Sequence, residues 1–167
     1  MDDGYGIYGD NGTLLSVVLI ACLATIGVDL LIIVAVYVLN GFALMKLFRK
    51  VGVEPWAGWV PIFNVWRLLE LGGMQGWYSL FSLVPFARIV TTVFTAIANY
   101  RTGLAFRKSG GYVVLWIFLP FVWAFVLAAE NEVYRPELIT AAGYPPPLVG
   151  VGAVRFPYPP PPTAPQA

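Results

Sequence analysis

Apolar residues run almost unbroken from Leu14 to Leu39, LLSVVLIACLATIGVDLLIIVAVYVL, with one formal charge, Asp29, among them. As an α-helix this stretch is about 39 Å long, more than the roughly 30 Å hydrocarbon core of a bilayer. The amphipathic continuation NGFALMKLFRK carries Lys46, Arg49 and Lys50. A long apolar run ending in a basic cluster predicts a membrane-spanning helix.

Three further apolar stretches follow. Trp56–Leu71 is short, broken by Pro61, and carries Arg67 and Glu70. Trp77–Tyr100 is long enough to cross and contains Pro85 and Arg88. Tyr112–Ala129 is free of charge, interrupted by Pro120, and just reaches spanning length. Prolines are tolerated in such helices where neighbours satisfy the freed backbone groups. A weak pattern recurs at Val60-Pro61, Val84-Pro85 and Leu119-Pro120, each with an aromatic residue upstream (Trp56, Trp77, Tyr112). Its spacing is too irregular to establish a repeat, and broken helices are common in membrane proteins.

Charge placement sets the topology expected. Six of the ten cations form two clusters, Lys46/Arg49/Lys50 and Arg101/Arg107/Lys108, whereas acids concentrate before the first helix and after the last. If both clusters are cytoplasmic, the residues between them cross an even number of times. Trp77–Tyr100 then supplies one crossing and Trp56–Leu71 the other, with LGGMQG as the outer turn. Sixteen residues reach only about 24 Å as a helix, so the competing reading makes the second segment interfacial or re-entrant. The expectation is an all-α, polytopic helical membrane protein of four apolar segments. An acidic segment (1–13) leads into the helical domain (14–135), and a proline-rich tail (136–167) follows.

That tail holds nine prolines between Tyr144 and Ala167. Proline lacks the donor that helices and ladders use, so an extended, disordered tail is expected. Its Tyr-Pro clusters could dock on an aromatic groove, but a solvated spacer is the simpler reading.

Composition agrees with a lipid environment. The chain is 59% hydrophobic and 11% charged, against roughly 25% charged in ordinary soluble domains. A net charge of +1 gives no reason to expect nucleic acid. The segment before Leu14 is acidic and lacks Lys or Arg, unlike the basic start of a secretory signal. Leu19-Ile20-Ala21-Cys22 reads like a lipobox, yet the apolar continuation to Leu39 favours a plain membrane helix.

Catalytic signatures are missing. With no histidine there is no Ser-His or Cys-His dyad and no His-based metal site. No Gly-rich phosphate loop with Lys-Ser/Thr occurs. The single Cys22 excludes an internal disulfide. The three lysines, Lys46, Lys50 and Lys108, are expected in loops. No catalytic, cofactor or metal residue is assigned, and the chain reads as a non-enzyme.

The notable polar residues lie inside the apolar segments, where such groups are costly. Cys22, Thr25, Asp29 and Asn40 fall near one line on the first helix, and Arg88, Thr92, Thr95 and Asn99 near one line on the third. Asp29 and Arg88 sit near the middle of their segments and are candidates to pair. The structural reading is that the pair registers two helices. The functional one is a proton or ion path gated by Asp29.

The order MKLFRKVGVEPWAGWVPIFNVWRLLELGG, WYSLFSLVP, AFRKSGG and LWIFLPFVW resembles a family of small bacterial integral membrane proteins of unknown function. The resemblance covers about residues 45–129 and is anchored at Gly52, Trp56, Pro61, Asn64, Trp77, Pro85 and Pro120. It implies relatives with Pro- or Gly-rich tails, and others fused ahead of a signal-peptidase-I-like domain. No Ser-Lys catalytic pair is present, so the fusion gives no ground for a peptidase. Where the family tends to carry Asn after its second Pro element, this chain has Arg88.

Together these features lead us to expect a non-enzymatic accessory or scaffold protein, multi-pass in the cell membrane. Its partners would be the lipid bilayer and a membrane protein or further copies of itself, and no cofactor is implied. The alternative is a small channel or transporter module with a polar path at Asp29 and Arg88. Pairing makes a specific prediction. Asp29→Asn combined with Arg88→Gln should yield more membrane-inserted protein than the two single losses summed would allow, and a simply additive loss would refute it.

Overall fold

The computed structural model describes residues 8–153, which form helices, turns and extended segments and contain no strand. The chain divides within its first helix, α1 (Tyr8–Val51), into two units, Met1–Val38 and Leu39–Ala167.

In the first unit every residue from Gly12 to Tyr37 is exposed. Leu31 reaches 71% and Leu23 68%. Helix Gly12–Val51 is the one described helix both long and apolar enough to cross a membrane. Thr25 donates its hydroxyl to the Ala21 carbonyl at 2.9 Å, so this polar side chain is satisfied within its own helix.

The second unit begins with the last turns of α1. Leu44, Leu47, Phe48 and Val51 recur at i, i+3, i+4 and i+7 and are all buried. Trp123, Ala124, Leu127, Leu71 and Phe106 pack into the same core. At Gly52 (φ 78°) α1 ends, and the Val53 N–H reaches back to the Phe48 carbonyl at 2.8 Å. Beyond it the chain folds as three successive out-and-back pieces.

The first piece is a 3₁₀ turn (Pro55–Trp59) followed by α2 (Pro61–Leu71). The second is a 3₁₀ segment (Gly76–Leu83), a turn through Pro85, and α3 (Arg88–Ala105). The third is α4 (Tyr112–Phe118) and α5 (Pro120–Ala128), separated at Leu119. Pro61 and Pro120 occupy the first turn of α2 and α5, where the missing N–H would have had no helical partner.

Neither Trp77–Tyr100 nor Tyr112–Ala129, expected as crossing segments, forms one continuous helix. Pro85 and Pro120 break them, leaving α3 at 18 residues with a polar face and α4 and α5 at 7 and 9 residues. The second segment is likewise short as a helix, 11 residues or about 17 Å.

The tail expectation also changes. A short helix, α6 (Glu137–Ala141), is followed by a strap, residues 144–153, laid on the second unit. Leu148 N–H donates to the Glu70 carbonyl at 2.9 Å and Val151 N–H to the Val51 carbonyl at 2.8 Å. Pro147 is fully buried, and the Arg101 guanidinium lies 4.8 Å from the Tyr144 ring centre. Proline rings are apolar enough to pack, and the two non-proline donors supply the backbone anchors. The second Tyr-Pro cluster lies outside the described residues.

Helix α3 closes through Lys108 N–H to the Gly103 carbonyl at 3.0 Å, with Arg107 at φ 57° in the left-handed region. A side chain there costs about 1–2 kcal/mol that glycine avoids. Arg107→Gly should therefore raise stability by about 1 kcal/mol, read as a higher thermal midpoint in detergent, whereas a fall would show that the exposed Arg107 side chain is needed.

Candidate functional site: a polar cleft beside helix α3

Helix α3 places Arg88, Thr91, Thr92 and Thr95 on adjoining turns of one face. With Pro61, Ile62 and Val65 of α2, Ser82 and Leu83, and Trp116 of α4, they line a cleft of about 340 Å³. Val65, Thr95 and Trp116 also wall a smaller cavity of about 180 Å³, shared with Asn40, Leu44, Asn64, Leu68 and Pro120.

The threonines commit their donors internally. Thr92 donates to the Arg88 carbonyl at 3.0 Å, Thr95 to Thr91 at 2.7 Å, and Thr91 across to the Tyr78 carbonyl at 3.2 Å. Their oxygens keep lone pairs free as acceptors, and Arg88 adds guanidinium donors at the cleft's edge. No carboxylate lines either space. The arrangement can solvate a small polar species but offers no general acid–base pair.

Below Thr95 on the same face, Asn99 is fully buried, and neither amide atom has a hydrogen-bond partner among the described residues. Asn40 Oδ1 is likewise buried and unpartnered. Such groups cost about 1–3 kcal/mol each.

The expected residues separate into several places. Pro61 and Arg88 meet in the larger cleft, Asn64 and Pro120 in the smaller. Trp56 is more than half exposed and stacks on Phe63 at 4.9 Å, whereas Trp77 packs on Phe81 at 5.5 Å. Pro85 is exposed in the turn before α3. Asp29 belongs to the first unit and Arg88 to the second, and their pairing remains a proposal. Thr91, Ser82 and Trp116 were missed. Thr91 stands one position off the Arg88–Thr92 line, and nothing in sequence spacing places Trp116 opposite α3.

The charges of the second segment neutralise one another. Arg67 pairs with Glu70 at 2.7 Å and with Glu54 at 3.2 Å, and Trp66 Nε1 donates to Glu70 at 2.8 Å. Lys46 and Lys50 lie on α1 rather than in loops. With Arg49, Phe125, Ala128, Ala129 and Glu130 they line a second cleft of about 440 Å³. Lys50 Nζ donates to the Ala129 carbonyl. Lys108 pairs with Glu132 at 2.5 Å. Burial, with the Glu137 charge adding, pushes the nearby Tyr134 hydroxyl well above the ordinary tyrosine value.

Residues 56–135 match the model of a family of unknown function, DUF5684. The matched stretch holds the three out-and-back pieces from Trp56 onward and leaves α1, α6 and the strap outside it. It takes in most of the stretch singled out in the sequence, including Trp56, Pro61, Asn64, Trp77, Pro85 and Pro120. No solved structure matches this chain.

Asn99 offers a direct probe. Asn99→Leu should leave thermal stability unchanged or raised, because two unpaired polar atoms are replaced by an apolar group of similar size. A loss above about 2 kcal/mol would mean that the carboxamide satisfies a partner the fold requires.

Proposed function

We infer that this protein is a non-enzymatic accessory or scaffold subunit integral to the cytoplasmic membrane of a bacterium. The observation that carries this reading is the uncovered apolar surface of α1, exposed at every residue from Gly12 to Tyr37. Contiguous apolar patches beyond a few hundred Å² mark surfaces that lipid or another protein covers. Phe86, Phe118 and Ile89, at 91%, 76% and 72% exposure, extend the same character to the second unit. A partner's helices, or a second copy of this chain, would find on α1 a long face with the small residues Ala21, Ala24 and Gly27. The resemblance to small bacterial membrane proteins supports the location.

Conduction of a small polar species is the second reading, favoured by the Arg88–Thr91–Thr92–Thr95 cleft and the unpartnered amides beside it. The two readings diverge in one comparison. A scaffold should co-purify from mild detergent with a stoichiometric companion and give liposomes no leak above empty vesicles. A conduit should give a flux that Asp29→Asn or Arg88→Gln reduces at least tenfold. Flux without any companion would refute the scaffold.

A further inference from the structure

The second unit has two chemically opposite ends. At one end, which we term the base, the C-terminal ends of α1, α2, α3 and α5 are tied together by hydrogen bonds. Val51 accepts from Val151 and Glu70 from Leu148, Arg101 donates to the Gly72 carbonyl at 3.1 Å, and Arg135 N–H donates to Ala105 at 2.8 Å. Lys50 Nζ joins the end of α1 to Ala129, just beyond α5. Every one of these helices therefore finishes at the base. The chain must climb away and return between each pair.

The returns are at the prolines. Pro61, Leu83, Arg88, Trp116 and Pro120 come together around the two adjoining spaces, whose linings share no residue with the strap or its anchors. The weak sequence pattern Val60-Pro61, Val84-Pro85 and Leu119-Pro120 thus marks one architectural position three times. Each time a 3₁₀ or short helical limb with an upstream aromatic rises to the proline, and an α-helix descends.

We propose that these three pieces are re-entrant hairpins that enter and leave a lipid leaflet from the same side, with their proline tips in the hydrocarbon. The proposal rests on the membrane reading above and deepens it. Four observations support it. Exposed Val60, Leu83, Val84, Phe86, Phe118 and Leu119 crowd the tips. Arg49, Lys50, Arg101, Arg107 and Lys108 stand at the base or in the turn after α3. This is the charge distribution that holds a base at the cytoplasmic headgroups.

The backbone at the tips is closed as lipid requires. Asn64 N–H pairs with the Val60 carbonyl at 2.8 Å, Arg88 with Val84 at 3.1 Å, and Trp123 with Leu119 at 3.0 Å. Proline removes a donor at each turn, so few N–H groups face hydrocarbon unpaired. Length is the fourth observation. Helices of 11 and 9 residues reach about 17 and 14 Å, half the depth of a bilayer, and cannot cross it. Helix α3 is longer, about 27 Å, because it continues past the end of α2: Gly72 lies against Ala98, and Arg88 shares the tip cleft with Pro61.

Single cysteines in a Cys22→Ser background test this, using the full chain in sealed vesicles of known orientation and a membrane-impermeant maleimide. Gln75 and Ser109 are both exposed on the base side of their hairpins. Gln75→Cys and Ser109→Cys should label from the same face, each at least tenfold faster than from the other. Phe86→Cys and Phe118→Cys should label from neither face until detergent is added. Labelling of Gln75→Cys and Ser109→Cys from opposite faces, with the chain retained after alkaline carbonate washing, overturns the hairpins alone. Release of the unmodified chain by the same wash overturns the membrane reading beneath them.

Discussion

The packing of Leu44, Leu47, Phe48 and Val51 is the interaction on which the second unit depends. These side chains occupy one stripe of α1, and Trp123, Leu127, Leu71 and Phe106 close around it. Each fully buried large apolar side chain contributes about 1.5–3 kcal/mol relative to its exposure to water. None of the three following pieces has a helix longer than 18 residues, and two have only 7 to 11. Helices so short are marginal alone and are held by tertiary packing. The final turns of α1 supply the common surface.

Close backbone approach completes that packing. A Cβ at Gly72 would lie 2.4 Å from Ala98 Cα, and one at Gly58 would lie 2.8 Å from the Met45 nitrogen. These are contacts in which one main chain rests directly on another. They explain how short limbs and helices pack tightly with few large side chains between them. Aromatic rings then fill the perimeter, as where Trp59 meets Phe42 edge-on at 4.9 Å and Tyr78 stacks on Phe94 at 4.8 Å.

Much of this was legible in the residues. The apolar run of α1, the breaks at Pro61, Pro85 and Pro120, and the polar face Arg88–Thr92–Thr95 all follow from period and residue type. What the periodicity could not supply was direction. A proline in an apolar segment is compatible with a kinked helix or with a reversal, and only contacts that bracket it, such as Arg101 with Gly72 around Pro85 and Lys108 with Glu132 around Pro120, distinguish them. The strap was hidden for a related reason. Its composition predicts an absence of regular hydrogen bonding, which holds, but says nothing about whether Pro147 finds an apolar seat. Likewise, Arg67 and Glu70 read as liabilities in a short apolar helix, yet at i and i+3 they satisfy one another and leave the segment nearly neutral.

The strap carries an implication for the order of events during synthesis. Leu148 and Val151 clasp carbonyls that were made about 80 and 100 residues earlier, at Glu70 and Val51. A nascent chain exposes those carbonyls through the production of all three proline turns, and the clasp forms only after residue 151 has left the ribosome. Until then the ends of α1 and α2 are held by the side-chain packing of Leu44, Leu47, Phe48 and Val51 with Leu68 and Leu71, without the strap's two backbone bonds. Closure of the strap therefore comes last, adding two backbone bonds of long sequence separation to limbs that already share the α1 stripe.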